Sequence, residues 1–247
     1  LPARVPSRHF CPPDLGPAAR ARAQALTFHL EPGRFFRLAC ALISHHLKFI
    51  YVHIPKTGGN SIQTVLGPHS SDRLVYRPSV GQVLEEDGTQ GLDVINEELG
   101  FVTGSHKHAA ISDYAAALGR SLGDYRVLCS VRNPWDRVIS YTAFGTPGGL
   151  AVGRTLRPDE LRLPRRQVDY LTLDGNVSAD HVIRFERLNE DLGRVCAHLG
   201  IPCCSPPHKN RSRRDDYRLY YTDETADYVA MRYRDDITRF GYRFDLA

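Results

Sequence analysis

Two runs of apolar residues punctuate this 247-residue chain, at 49–54 (Phe-Ile-Tyr-Val-His-Ile) and 125–131 (Tyr-Arg-Val-Leu-Cys-Ser-Val). Runs this short, rich in β-branched and aromatic residues and without strict alternation, predict strands buried on both faces. Each leads through a turn into a helical pattern. After the first run, residues 62–66 are apolar; after the second, Pro134 fits a first helical turn and Val138, Ile139 and residues 141–144 carry the helix on. A short strand at 101–104 precedes a helix at 109–118, and a strand at 181–185 precedes another helix. Near the end, Thr222-Asp223-Glu224 begins a helix by capping and dipole logic, and Ala226, Val229, Tyr233, Ile237 and Phe240 mark one packed face. Strands alternating with helices predict a single α/β domain over residues 44–247. The expected architecture has three layers: a mostly parallel central sheet of strands near 48–54, 101–104, 125–131 and 181–185, with helices on both faces.

The remaining segments are less patterned. Residues 1–43 read as a proline-rich arm followed by short helices at 18–30 and 34–44. Residues 70–100 read as irregular and acidic (Glu85, Glu86, Asp87, Asp93, Glu97, Glu98), a solvated face. The Gly-, Pro- and Arg-rich stretch 145–163 is long for a connection, and loops of that length commonly serve as lids or binding loops.

Composition narrows the classes. A hydrophobic share of 42% in a chain of this length suffices for one buried core. A net charge of +4 suits an enzyme of anionic ligands and is too small to indicate nucleic acid. The longest apolar candidate, 38–44, is stopped by His45 and His46, so no membrane span is expected. The six cysteines show neither metal nor disulfide spacing, and Cys129 and Cys196 fall on apolar faces. That pattern favours reduced thiols and a cytoplasmic compartment, with the luminal domain of a trimmed precursor as the alternative.

The chemistry lies in the turns after the two apolar runs. Pro55-Lys56-Thr57-Gly58-Gly59-Asn60-Ser61 joins a strand to a helix. Such a turn gathers backbone N–H groups, the positive end of a helix dipole and a lysine at one place, which suits phosphate or sulfate. The lysine precedes the glycines, so this is not the nucleotide loop G-x-x-x-x-G-K-[ST]; the dinucleotide pattern G-x-G-x-x-G is also absent. The second turn, Arg132-Asn133-Pro134-Trp135-Asp136-Arg137, places Arg132 at a strand's carboxyl end, where open α/β sheets bind ligands, with Ser140 two turns into the helix.

These two motifs, in this order and context, resemble the sulfotransferases that use 3′-phosphoadenosine 5′-phosphosulfate (PAPS). Residues 56–61 are similar to their 5′-phosphosulfate loop, and residues 132–137 with Ser140 to their 3′-phosphate site. Residues 181–192, 208–212 and 220–244 resemble the carbohydrate-type branch, which includes heparan-sulfate 2-O-sulfotransferases and bacterial members; coverage is roughly residues 44–245. The resemblance implies a P-loop nucleotide-kinase-like sulfotransferase fold. It also implies a donor site made by Lys56, Thr57, Gly58, Gly59, Asn60, Ser61, Arg132 and Ser140, with Lys209, Asn210, Arg211 and Ser212 closing over the nucleotide.

The reaction implied by this resemblance is transfer of a sulfuryl group from PAPS to a hydroxyl, of a carbohydrate or alternatively a small-molecule alcohol. Lys56 would stabilise the leaving phosphate, and no metal is required. His106 and His108 are the candidate bases, and the Lys-His-Ala stretch of bacterial members resembles residues 107–109, which favours His108. His53 reads as a core histidine and Glu186 as a capping carboxylate. Arg154, Arg157, Arg162, Arg165 and Arg166 are positioned in sequence to meet an anionic acceptor. For Arg213 and Arg214 a solvated surface competes with a site role. Two other classes compete: a P-loop-type kinase, and a non-enzymatic module binding anionic polymers through its arginines.

Overall fold

The computed structural model describes residues 42–76, 92–96, 101–103, 108–151, 153–202 and 214–245. The proposed N-terminal arm, His106 and residues 209–212 lie outside the described residues. The strands are β1 (Leu42–Ser44), β2 (Phe49–Val52), β3 (Asp72–Tyr76), β4 (Leu92–Asn96), β5 (Phe101–Thr103), β6 (Arg126–Val131), β7 (Thr172–Leu173), β8 (Asn176–Val177) and β9 (His181–Arg184). The helices are α1 (Gly59–Leu66), α2 (Ile111–Leu118), α3 (Pro134–Phe144), α4 (Val168–Leu171), α5 (Leu188–Leu199), α6 (Asp223–Arg232) and α7 (Arg234–Phe240).

The fold is α/β, built on a mixed four-stranded sheet in the order β1-β2-β6-β9. β2 and β6 run parallel, with Val52 opposite Cys129, and β6 and β9 run parallel, with Val131 opposite Arg184. The segments that come after β2, β6 and β9 therefore leave the sheet at the same edge. β1 pairs antiparallel to β2 through a tight turn at residues 45–48.

Side chains sort onto the two faces by the period of two. Ile50, Val52, Val127, Cys129 and Val131 share one buried cluster with residues of α2, α3, α4 and α6. Phe49, Tyr51, Leu128 and Ile183 share the other with Ile62, Val65 and Leu66 of α1 and Leu192, Val195 and Cys196 of α5. Helices thus cover both faces, which is why β2 and β6 read as unbroken apolar runs. Cys129 and Cys196 are buried free thiols, in keeping with a packing role.

Four expectations need correction. The strand at 101–103 is not in the central sheet; it pairs antiparallel with β4 in a separate β3-β4-β5 meander. The edge beside β2 belongs instead to residues 42–44, the end of a segment expected to be helical, because a local hairpin brings them back onto β2. Residues 72–76 and 92–96 are strands within the stretch read as irregular; the surrounding acidic residues obscured β-formers such as Val75, Val94 and Ile95. The C-terminal face is divided as well. Val229, Tyr233 and Phe240 are buried together, but Tyr233 (φ −111°, ψ 24°) separates α6 from α7.

One glycine shows how tightly the first turn is packed. A Cβ on Gly59 would stand 2.0 Å from Nε2 of His53, a ring itself buried in the core. Gly59→Ala is expected to lower unfolding stability by about 1–3 kcal/mol through overpacking. Urea denaturation checks this; an unchanged midpoint would show that the His53 ring can yield.

Candidate functional site

The site grows out of the sheet edge where β2, β6 and β9 end. The turn after β2 holds an unusual backbone: Lys56 lies at φ +67° and Gly58 at φ +86°. Glycine adopts such a conformation readily, whereas for lysine it costs roughly 1–2 kcal/mol. Bonds from the β6 side hold the turn in place. Arg132 Nη1 donates to the Lys56 carbonyl (3.1 Å), and Arg137 Nε donates to the Pro55 carbonyl (2.9 Å).

Thr57 is fully buried and its hydroxyl is turned inward. It donates to the Ile54 carbonyl (2.8 Å) and lies 2.6 Å from Ser130 Oγ, which in turn lies 2.6 Å from the Tyr51 hydroxyl. A carbonyl can only accept, so the direction is fixed: Tyr51 donates to Ser130, Ser130 to Thr57, and Thr57 to Ile54. Burial pushes the Tyr51 phenol well above its usual value, so it keeps the proton this chain needs. What Thr57 can offer a ligand is therefore its backbone N–H, not its hydroxyl.

Gly58 caps α1 without any side-chain cap bond, and the first turn carries no acidic residue. The helix thus presents its positive end at the turn containing Lys56. A Cβ on Gly58 would approach the Phe185 ring to 3.0 Å, and the same ring carries the Arg132 guanidinium at 3.8 Å. Phe185 is packed between the two motifs.

Arg132 is the hub. Its Nε donates to Asp136 (2.7 Å), and the same carboxylate accepts from Arg214 Nη2. Burial lowers the Arg132 pKa and Asp136 opposes that shift. The backbone of Arg132 is held as firmly as its side chain. Gln167, fully buried, accepts the Arg132 N–H (2.8 Å) and donates to the Arg132 carbonyl (2.9 Å). Gln167 and Val168 donate their own N–H groups to Asp236 on α7, each at 2.8 Å. Burial raises the Asp236 pKa against the pull of those two donors.

Asn133 closes the start of α3 by accepting the Trp135 N–H (3.1 Å), and its own N–H donates to Glu186 (2.6 Å). Glu186 also accepts from Tyr242 (3.2 Å). It holds the beginning of α3 in place, and α5, the helix that follows Glu186 in the chain, has no side-chain cap bond.

Along α3, Asp136, Ser140 and Phe144 recur at intervals of four and share one face. The first touches Arg132 and the last carries Lys56 Nζ over its ring at 4.2 Å. Ser140 therefore lies between the two motifs, buried. Arg132 and Arg214 share the one carboxylate of Asp136, and Lys56 adds a further cation at the uncapped helix end.

His108 joins this edge through His53. Its Nδ1 lies 2.8 Å from the His53 carbonyl, and the two rings are 4.6 Å apart in an edge-on arrangement. Because the carbonyl must accept, Nδ1 carries the proton, and the Nε2 lone pair of neutral His108 is the basic position. The His53 ring packs on Gly59 and its Nδ1 meets Gln63 (3.0 Å), so His53 is the core residue expected.

The structure thus brings Lys56, Thr57, Gly58, Gly59, Asn60, Ser61, Arg132, Ser140 and His108 to one sheet edge. Sequence reasoning gave no site role to Gln167, Asp236, Ser130, Tyr51 or Phe185: Gln167 and Asp236 lie far from either motif, while Tyr51 and Ser130 read only as strand residues. Arg214 is partly buried against Asp136, and the neighbouring run of arginines and aspartates gave no sign of which one turns inward. Among the described residues no cluster of His, Cys, Asp or Glu has the makings of a metal site.

Gln167→Leu keeps the volume but strips both bonds from the buried Arg132 backbone. Leaving these groups unsatisfied is expected to cost about 2–4 kcal/mol of stability, measured by urea unfolding. A loss below ~0.5 kcal/mol would mean that the paired amide bonds are dispensable.

No protein-family model, curated protein or solved structure matches the chain.

Proposed function

We propose that the chain is an O-sulfotransferase that moves the sulfuryl group of PAPS to a hydroxyl of a carbohydrate acceptor. One observation carries this reading: the turn at 55–59 and the segment 132–144 form a single clasped unit, with Arg132 on the Lys56 carbonyl and Phe144 under the Lys56 ammonium. A donor with phosphate at two ends of a nucleoside needs two anion sites held at fixed separation. An uncapped helix end with Lys56 suits one, and Arg132 with Ser140 suits the other.

In this proposal the acceptor oxygen attacks sulfur, the bond from sulfur to the phosphate oxygen breaks, and the acceptor proton passes to a base. Nε2 of His108 is that base, since the His53 carbonyl holds the tautomer with its lone pair there. Lys56 and the N–H groups at the start of α1 stabilise charge on the departing phosphate. Asp136 and Gln167 act on Arg132: one fixes the guanidinium, the other the backbone. Residues 209–212 belong to the proposed donor site by resemblance alone, and His106 remains the alternative base on the same ground.

With sulfur-labelled PAPS and a panel of hydroxylated glycans, the wild-type protein is expected to transfer label in the presence of a chelator. His108→Gln should slow transfer by about 100-fold or more, with adenosine 3′,5′-bisphosphate affinity within ~2-fold of wild type. Wild-type rates in that variant would remove His108 from the role. Absence of transfer by the wild type to every glycan would overturn the carbohydrate reading.

A further inference from the structure

Two of the five arginines that sequence placed near an anionic acceptor share a cavity, while Arg154 and Arg157 are paired with Glu160 and Asp159. Arg165 and Arg166 line a space of about 660 Å³, walled by the segment that enters α4, by the β7–β8 hairpin and by α7. That volume falls in the range of small-molecule sites. None of the residues proposed for the donor or as the base lines it.

Three guanidinium groups, of Arg165, Arg166 and Arg239, meet two carboxylates there, of Asp169 and Asp235. Arg166 takes both carboxylates. Arg165 lies instead over the Tyr170 ring at 4.7 Å, and its Nη2 donates to the Asp169 carbonyl (2.6 Å). Arg239 has no ion-pair partner among the described residues. Two exposed guanidinium groups without a carboxylate thus face one cavity, with Val168 and Val177 as an apolar wall beside them. Guanidinium forks match phosphate oxygens, and two of them match a dianion.

The segments that form this cavity also hold the arginines of the donor site. Gln167, which stands in the chain between the cavity residues Arg166 and Val168, bonds both the N–H and the carbonyl of Arg132. Asp236, next to the cavity residue Asp235, accepts from the backbone of Gln167 and Val168. The Arg165 carbonyl accepts from Arg137 Nη1 (2.8 Å). Arg137 Nη2 is buried with no partner among the described residues, so that guanidinium depends on the carbonyls of Pro55 and Arg165.

We propose that the cavity is an effector site for a small organic phosphate monoester. Its phosphate lies on Arg165 and Arg239, and its carbon part lies against Val168 and Val177. A ligand that spans these two arginines ties the entry of α4 to the last turn of α7, which favours the arrangement in which Asp236 and Gln167 hold Arg132. Occupancy then steadies the Arg132 backbone and raises donor affinity, and the donor raises effector affinity by the same factor. The site and its hold on Arg132 stand on the cavity and these bonds; the effect on the donor rests on the function proposed above.

The test is calorimetric titration of phenyl phosphate into wild type, Arg165→Gln, Arg239→Gln and Lys56→Ala, with inorganic phosphate and phenol as controls. Amide exchange at Arg132 is followed by NMR with and without the probe. Both arginines are exposed, so their replacement leaves the core intact. Phenyl phosphate is expected to bind at least ~5-fold more tightly than inorganic phosphate, and phenol not at all. Arg165→Gln and Arg239→Gln should each lose about 5–10-fold, and Lys56→Ala should stay within ~2-fold. The bound probe should slow Arg132 exchange by about 3-fold or more in the wild type but not in Arg239→Gln, and raise adenosine 3′,5′-bisphosphate affinity by about 5-fold. The proposal is overturned by no binding, by binding lost in Lys56→Ala rather than in the arginine variants, by unchanged Arg132 exchange, or by a bisphosphate that binds with unchanged affinity. Slower exchange in a protein that binds no bisphosphate would support the effector site and overturn the donor reading.

Discussion

Two arginines donating to two backbone carbonyls hold this site together. Arg132 takes the Lys56 carbonyl and Arg137 the Pro55 carbonyl, so a turn that would be strained at Lys56 is clamped to the end of β6 and the start of α3. Burying guanidinium groups is costly unless they are paired and hydrogen-bonded. Arg132 meets this need with Asp136. Arg137 spans two carbonyls, of Pro55 and Arg165, and its pKa is lowered by burial. The exchange gives rigidity where the proposed binding of an anion requires it: the N–H groups and the guanidinium are held in place by the fold itself.

The clamp is in turn supported from a distance. Asp236 on α7 fixes the backbone of Gln167 and Val168, and Gln167 fixes the backbone of Arg132. Chain positions far apart in sequence therefore bear on one residue. On the β2 side the Tyr51–Ser130–Thr57 hydroxyl chain performs a similar service, locking the turn to β6 from below. Both arrangements use buried polar groups engaged by hydrogen bonds, the condition under which such networks specify one geometry.

The features legible in sequence are the local ones. The apolar runs of β2 and β6 and the turns after them depend on neighbouring residues, and the strand and helix boundaries there were readable nearly as the structure has them. The partners of β2 were not. Whether residues 42–44 or 101–103 occupy the sheet edge depends on hairpin closure against long-range pairing, which no periodicity records. Thr57 illustrates the same divide within the site. Its place in the turn was readable, yet the direction of its hydroxyl is decided by Ser130, a residue of another strand. Arg214 and Gln167 carry no signal beyond their type, and only the folded chain shows Gln167 buried and Arg214 turned onto Asp136. The tautomer of His108 likewise depends on a carbonyl contributed by β2's extension.

The central claim is that the clasped turns form one site for a nucleoside carrying phosphate at both its 3′ and 5′ positions. Calorimetric titration of wild type and Arg132→Ala with adenosine 3′,5′-bisphosphate, ATP and 5′-AMP tests it most directly. The account predicts clear preference for the bisphosphate in the wild type, and loss of about 10–100-fold of that affinity in the variant, with a smaller loss toward 5′-AMP because Arg137 still holds the Pro55 carbonyl. No binding of the bisphosphate, or equal binding of ATP, would contradict it.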